Sequence, residues 1–273
     1  MNSHFHSTNY SASGQGRPPA TQVEIPGLFH PFTVAVSRIE NPKVRTLIFD
    51  RPLAHCDPGQ FVMTWLPGEG EKPFSITQDD PFAITVADVG AVSHSISQLQ
   101  PGQKLWVRGP LGQGFAPAGK RHILVGGGYG AAPLSFLANR LLRDEGEVRV
   151  CLGARGADDL LLVDHLRAMG CSVAVATEDG SAGTSGLVTA LVQAEVSRGA
   201  DHLYACGPMG MLLAVWEQAD AAGLPAQLSF EAIVRCGIGL CGSCELPENI
   251  CQKVGIAPGW LVCQDGPVAR IGR

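Results

Sequence analysis

Five of the chain's nine cysteines fall in one stretch, Arg235–Val268, "RCGIGLCGSCELPENICQKVGIAPGWLVCQDGPV". Cys236, Cys241 and Cys244 are spaced C-x4-C-x2-C. That is the opening of the plant-type 2Fe–2S pattern, in which a fourth thiolate follows at a distance. Gly237, Gly239 and Gly242 lie among them. Small residues let a loop wrap a cluster and bring backbone N–H groups to its sulfurs. Two cysteines compete for the fourth place: Cys251, seven residues after Cys244, and Cys263, nineteen after it. The remote last ligand of the pattern favours Cys263, but spacing alone leaves Cys251 open. Zinc is the main rival, because C-x2-C is also a zinc step. A disulfide ranks below both in a chain without a secretory signal.

A second pattern could seat phosphate. In "VGGGYGAAPL", Gly126, Gly128 and Ala131 fit the G-x-G-x-x-G/A turn between an apolar strand and a helical stretch. Glycines let backbone approach a pyrophosphate, and the helix N-terminus attracts it; the bland alternative is a tight turn with no ligand. The next strand ends in "LGAR", with no acidic residue at its tip for a ribose hydroxyl. Arg155 there could meet a phosphate or be merely solvated, so NAD and NADP both stay open. "ATEDGSAGTSG" and "ACGPMGM" end two further strands, where open α/β sheets bind ligands. Glu178 and Asp179 could accept hydrogen bonds from ribose or amide groups. Cys206 stands where a nicotinamide could lie, or is a small buried hydrophobe. Earlier in the chain, "KPFSI" sets Lys72 and Phe74 on one strand face and Pro73 and Ser75 on the other. "GAVSHSI", with Gly90 and Ser93, reads as a phosphate seat or as a simple helix cap.

These residues need elements to hold them. Residues 1–22 read as a disordered polar tail. Residues 23–119 carry short β-branched and aromatic runs with Pro-Gly turns, which argue an antiparallel barrel or sandwich. Over 120–225 apolar strands alternate with helical stretches, which argues an α/β domain on a parallel sheet. The cysteine segment, 226–273, is expected to be mostly loop. The 273 residues carry a formal net charge of -5 and no lysine or arginine run, which argues against nucleic acid or an acidic membrane surface. No apolar run approaches the roughly 18–20 residues of a membrane span, and a cytoplasmic protein is expected.

A strand barrel, a dinucleotide-type sheet and a 2Fe–2S loop in one chain imply conversion between hydride and single electrons, for which a flavin is the natural intermediary. Here the sequence resembles the electron-transfer subunits of NAD-type (class B) dihydroorotate dehydrogenase, within the ferredoxin-reductase-like flavoproteins. "KPFSI" looks like that family's Arg-Pro-aromatic-Ser flavin motif, with lysine in the arginine's place. The resemblance implies a six-stranded antiparallel FAD barrel, a five-stranded parallel NAD domain and a C-terminal 2Fe–2S loop, in which Lys72, Pro73, Phe74 and Ser75 line FAD and Gly90 and Ser93 hold its pyrophosphate. It assigns Gly126, Gly128, Gly130, Glu178, Asp179 and Gly207 to the pyridine nucleotide, with Cys206 beside the nicotinamide. It makes Cys236, Cys241, Cys244 and Cys263 the cluster ligands and Cys251 a bystander. It further implies a separate FMN-containing catalytic partner in a hetero-oligomer, and a role in pyrimidine biosynthesis. A reductase subunit for another acceptor and a non-redox zinc-binding regulator are the alternative readings.

Overall fold

A computed structural model describes residues 27–271; the tail expected over 1–22 lies outside them. β1 (His30–Asn41), β2 (Val44–Phe49), β3 (Phe61–Leu66), β4 (Gly70–Gln78), β5 (Ala83–Ala87) and, after helix α1 (Ala91–Ser97), β6 (Lys104–Leu111) close into a barrel in the order β1-β2-β5-β4-β3-β6. All neighbours run antiparallel. Closure leaves no strand edge to attract another chain. Inward residues fill the barrel: the Phe32, Phe49 and Phe82 rings stack and tilt with centroids 4.9 to 5.9 Å apart.

The second half alternates strand and helix: β7 (Arg121–Gly127), α2 (Ala131–Arg143), β8 (Glu147–Ala154), α3 (Val163–Ala168), β9 (Ser172–Thr177), β10 (Thr184–Ser185), α4 (Thr189–Ser197), β11 (His202–Cys206), α5 (Met209–Ala221) and β12 (Ala226–Ser229). The chain then passes through α6 (Glu248–Val254) to β13 (Val268–Ile271). The sheet order is β10-β9-β8-β7-β11-β12-β13. Its centre is the expected parallel set. Two edges extend it: β10 adds a two-residue parallel pairing, and β13 returns antiparallel to β12. A two-residue strand leaves no periodicity to read, and β13 is separated from its partner by the whole cysteine loop. Both β12 and β13 belong to residues 226–273, so this segment completes the sheet as well as carrying the thiols.

Helix α2 joins the two halves. Leu134, Leu137 and Leu141 pack with the sheet core, while Phe136 enters the barrel core. A helix buried on two sides is apolar around most of its circumference, as "AAPLSFLANRLL" is. No described helix is long and apolar enough to cross a membrane.

Burial pushes the His122, His165 and His202 imidazoles below their ordinary pKa. His122 is 2% exposed, and its Nδ1 has no hydrogen-bond partner among the described residues. The unfolded chain, with imidazoles near about 6.5, takes up protons that the folded chain refuses. Their contribution to stability is therefore full above that pH and is lost as pH falls through the lowered folded values. The thermal midpoint should drop between about pH 7 and pH 5, and His122→Leu should make that drop shallower in calorimetry.

Candidate metal centre and nucleotide cleft

The cysteine loop leaves β12 and packs against β3 and β6 of the barrel. Gly237 sits at φ 68°, and a Cβ there would come 2.9 Å from Met63 Cγ and 3.2 Å from Leu111 Cδ1. Only glycine meets both the left-handed backbone and the close approach. The chain later turns back on itself: Glu245 bridges Leu261, Leu246 N–H donates to Trp260 O at 2.9 Å, and Val262 N–H donates to Cys244 O at 3.1 Å. That ladder sets Cys263 against Cys244.

The thiols associate as two pairs. Cys236 and Cys241 exchange a side-chain interaction, as do Cys244 and Cys263. Cys241 is exposed and Cys236 half-buried, whereas Cys244 and Cys263 are each 2% exposed. Backbone N–H groups point at sulfur: Gly239 N to Cys263 Sγ at 3.2 Å and Ile238 N to Cys236 Sγ at 3.5 Å. Hydrogen bonding from Ser243, Oγ to Sγ 3.1 Å, lowers the Cys241 thiol to about 6. Burial, then the neighbouring Cys244, raises Cys263 to about 12. Cys251 takes no part. It lies on α6, is 0% exposed, and turns its Sγ to Leu246 O at 3.6 Å within the core. One zinc ion needs four donors about one point. Two thiol pairs with N–H donors suit a two-iron cluster better.

The glycine turn opens α2 at the carboxyl end of β7. Its glycines divide the work. A methyl on Gly126 would come 2.8 Å from Leu152 Cδ2, and one on Gly130 would overlap the Cys206 carbonyl; these two permit close packing. Gly128, at φ 53°, has nothing within 4 Å of a Cβ position and faces a cavity of about 780 Å³. The cavity is also lined by Arg155, Glu178, Pro208, Met211 and Glu231, and by Asn41, Lys43 and Val44 of the barrel. It lies outside the carboxyl ends of the strands, as nucleotide clefts do in open α/β sheets. Gly207, at φ 153°, follows β11 where a Cβ would come 2.9 Å from the Gly127 nitrogen.

Not every anticipated side chain reaches the cavity. Asp179 instead accepts from Ser181 N at 2.9 Å and Ser181 Oγ at 2.6 Å, which holds its carboxyl below the usual range. It lines an adjoining cavity with Arg155, Asp158 and Asp159. Cys206 is buried beneath the cleft, and burial followed by the nearby Glu231 carboxylate raises its thiol to about 12. Glu231 borders the cleft; the residue as a whole is exposed, and partial burial of its carboxyl raises its pKa. Sequence reasoning did not single out Glu231; the strand end "LSFE" is a weak signal without knowledge that β12 adjoins β11.

In the barrel, Lys72 is exposed on β4 and Phe74 leans on the barrel core. Pro73 and Ser75 take the other face of the strand, paired with Met63 and Phe61 of β3. Gly90 begins α1 in extended backbone with open space about it. The Ser93 hydroxyl is committed locally: it donates to Gly90 O at 3.0 Å and accepts from Val89 N at 3.1 Å. It shapes the turn rather than offering a free donor.

Comparison with known proteins agrees with this geometry. Residues 124–217 match the family model of the oxidoreductase NAD-binding domain, and residues 231–273 that of the iron-sulfur cluster binding domain of dihydroorotate dehydrogenase B. A Thermococcus kodakarensis protein named "Probable dihydroorotate dehydrogenase B (NAD(+)), electron transfer subunit" is 41% identical over 77% of this chain and 83% of its own length. A Methanopyrus kandleri protein of the same name is 41% identical over 80% of each. Among solved structures, a chain of NADH-dependent reduced ferredoxin-NADP oxidoreductase superposes with TM-score 0.75 at 29% identity, over 88% of this chain and 87% of that one. Identity at this level over more than three quarters of the chain places it in the family of dihydroorotate dehydrogenase B (NAD+) electron transfer subunits.

Proposed function

We propose that this chain relays electrons between NAD(H) and a catalytic partner subunit through FAD and a 2Fe–2S cluster, serving dihydroorotate oxidation in pyrimidine biosynthesis. The observation that carries the reading is the pair of thiol pairs docked between the barrel and the dinucleotide-type sheet. When bound, nicotinamide exchanges two electrons as hydride, the cluster exchanges single electrons, and the flavin can do both. The chain's residues bind, orient and tune. Cys236, Cys241, Cys244 and Cys263 hold iron, with the Ile238 and Gly239 N–H groups donating to sulfur. Lys72 neutralises phosphate charge on FAD, Ser75 hydrogen-bonds the flavin edge, and Gly90 leaves room for the pyrophosphate. Gly128 admits the nucleotide phosphates, Glu178 meets a ribose, and Cys206 and Glu231 lie at the nicotinamide end.

The family works with a separate catalytic subunit; we propose that this partner carries FMN and docks over the cluster loop in a hetero-oligomer. Ile233, Ile238 and Leu240 beside the ligands are 70%, 54% and 81% exposed, and clustered exposed apolar side chains mark interaction sites. The reducing cytoplasm is inferred from nine unbridged cysteines. A second reading, a reductase subunit for another acceptor, draws on the end-to-end likeness to the ferredoxin-NADP oxidoreductase chain. Co-purification with a different redox subunit would favour it.

The testing measurement is the visible spectrum and metal content of anaerobically purified protein, before and after NADH. Flavin bands with equal iron and sulfide, bleached by NADH, are expected. Zinc without flavin would overturn the reading and return the thiols to a structural role.

NAD rather than NADP is the expected nucleotide. Beyond Arg155 the adjoining cavity presents Asp158, Asp159 and Asp179, an acidic surround for a 2′-phosphate. Titration of flavin fluorescence should show NADH binding at least about tenfold tighter than NADPH, with repulsion contributing to the choice. Asp158→Asn with Asp159→Asn should narrow that ratio several-fold; an unchanged ratio would remove these carboxylates from the explanation.

A further inference from the structure

Arg108 belongs to β6 of the barrel, 128 residues before Cys236 in sequence, yet its Nη2 donates to the Cys236 carbonyl at 2.8 Å. The residue is 9% exposed. Its guanidinium carbon lies 5.2 Å from the centroid of the Phe29 ring. No carboxylate forms an ion pair with it among the described residues. The other buried guanidinium, Arg149 at 3% exposed, is by contrast paired with Glu195 at 2.8 Å.

A buried cation without a counter-charge is strongly disfavoured. The loop that Arg108 grips cannot drift away, because Gly237 is wedged against Met63 and Leu111. Cys236 itself carries one of the four thiols, and Cys263 is influenced electrostatically by it. A 2Fe–2S centre held by four thiolates is anionic when oxidised, and reduction adds one further negative charge. We propose that Arg108 is the built-in counter-ion of the cluster, a positioning residue whose buried charge raises the cluster's reduction potential relative to the flavin's. This rests on the cluster reading given above. The guanidinium stabilises the reduced form more than the oxidised form, since attraction grows with the charge facing it. Its Nη2–H also fixes the Cys236 carbonyl through one hydrogen bond.

The test is a dye-mediated redox titration of the full-length holoprotein, with the reduced cluster followed by electron paramagnetic resonance and the flavin by absorbance. Arg108→Gln should shift the cluster's reduced-to-oxidised ratio at fixed potential about tenfold toward oxidised, about 59 mV for a one-electron couple. Arg108→Lys, which keeps the charge, should hold the ratio within about threefold of native. The flavin couple should not move. An unmoved cluster in Arg108→Gln, an equal shift in both variants, or an equal shift of cluster and flavin would each overturn the proposal. If Arg108→Gln fails to load iron, Met63→Ala replaces it, loosening the same contact with the guanidinium intact. Native potential in Met63→Ala then supports the counter-ion; failure to load iron there too would mean that packing explains both, and would overturn it. A native protein without iron overturns the functional reading itself, whereas a normal cluster indifferent to Arg108 overturns only this inference.

Discussion

Cys263→Ala should purify without iron–sulfur absorption while keeping its flavin, and Cys251→Ala should keep both. The two cysteines are twelve residues apart and equally hidden from solvent, so burial alone does not distinguish them. Their neighbours do. Cys263 faces Cys244, receives the Gly239 N–H at 3.2 Å, and is influenced electrostatically by Cys236. Cys251 faces only the Leu246 carbonyl and the core beneath α6. Removing one of four ligands leaves an iron short of a thiolate, and loss of the cluster is the expected outcome. Removing Cys251 leaves a small cavity, worth on the order of 1 kcal/mol, or roughly 2–4 °C in a domain of this size. NADH-to-dye turnover should survive in both variants, because the nucleotide cleft lies on the sheet and the flavin motif on the barrel. Iron analysis settles the matter: a cluster retained in Cys263→Ala and lost in Cys251→Ala would reverse the ligand assignment.

Gly130→Ala should cost far more stability than Gly128→Ala, while the latter should mainly weaken nucleotide binding. A Cβ at Gly130 overlaps the Cys206 carbonyl and comes 2.9 Å from the Gly207 nitrogen. Both atoms are backbone, so no side chain can move aside. The helix must retreat from β11, at a cost of roughly 1–3 kcal/mol or more, and the nucleotide seat goes with it. A drop of about 5–10 °C in thermal midpoint is expected, with loss of at least about tenfold in NADH affinity. Gly128 has open space around it and φ 53°. Alanine there adds strain of only about 1–2 kcal/mol but puts a methyl where phosphate would approach. A Gly128→Ala protein that melts lower than Gly130→Ala would contradict this division between a packing glycine and a binding one.

The sequence was most informative where structure is local. The barrel strands and the strand–helix alternation are read from periods of two and 3.6 residues, and both halves of the fold match that reading. C-x4-C-x2-C and the glycine turn are likewise compact enough to carry their chemistry within ten residues. Together with the barrel pattern and "KPFSI" they carried the resemblance that implied the family and the three cofactors. What tertiary structure decided was everything that depends on a partner far along the chain. Cys263 rather than Cys251 meets Cys244 because the Glu245–Leu261 bridge folds the loop back. Glu231 reaches the cleft because β12 pairs with β11, and Arg108 reaches Cys236 because β6 closes the barrel beside the loop. Ser93, a plausible phosphate ligand in sequence, has its hydroxyl satisfied by its own turn. Such outcomes follow from which backbone groups pair across long loops, a competition among many alternative contacts that residue type and spacing do not encode one by one.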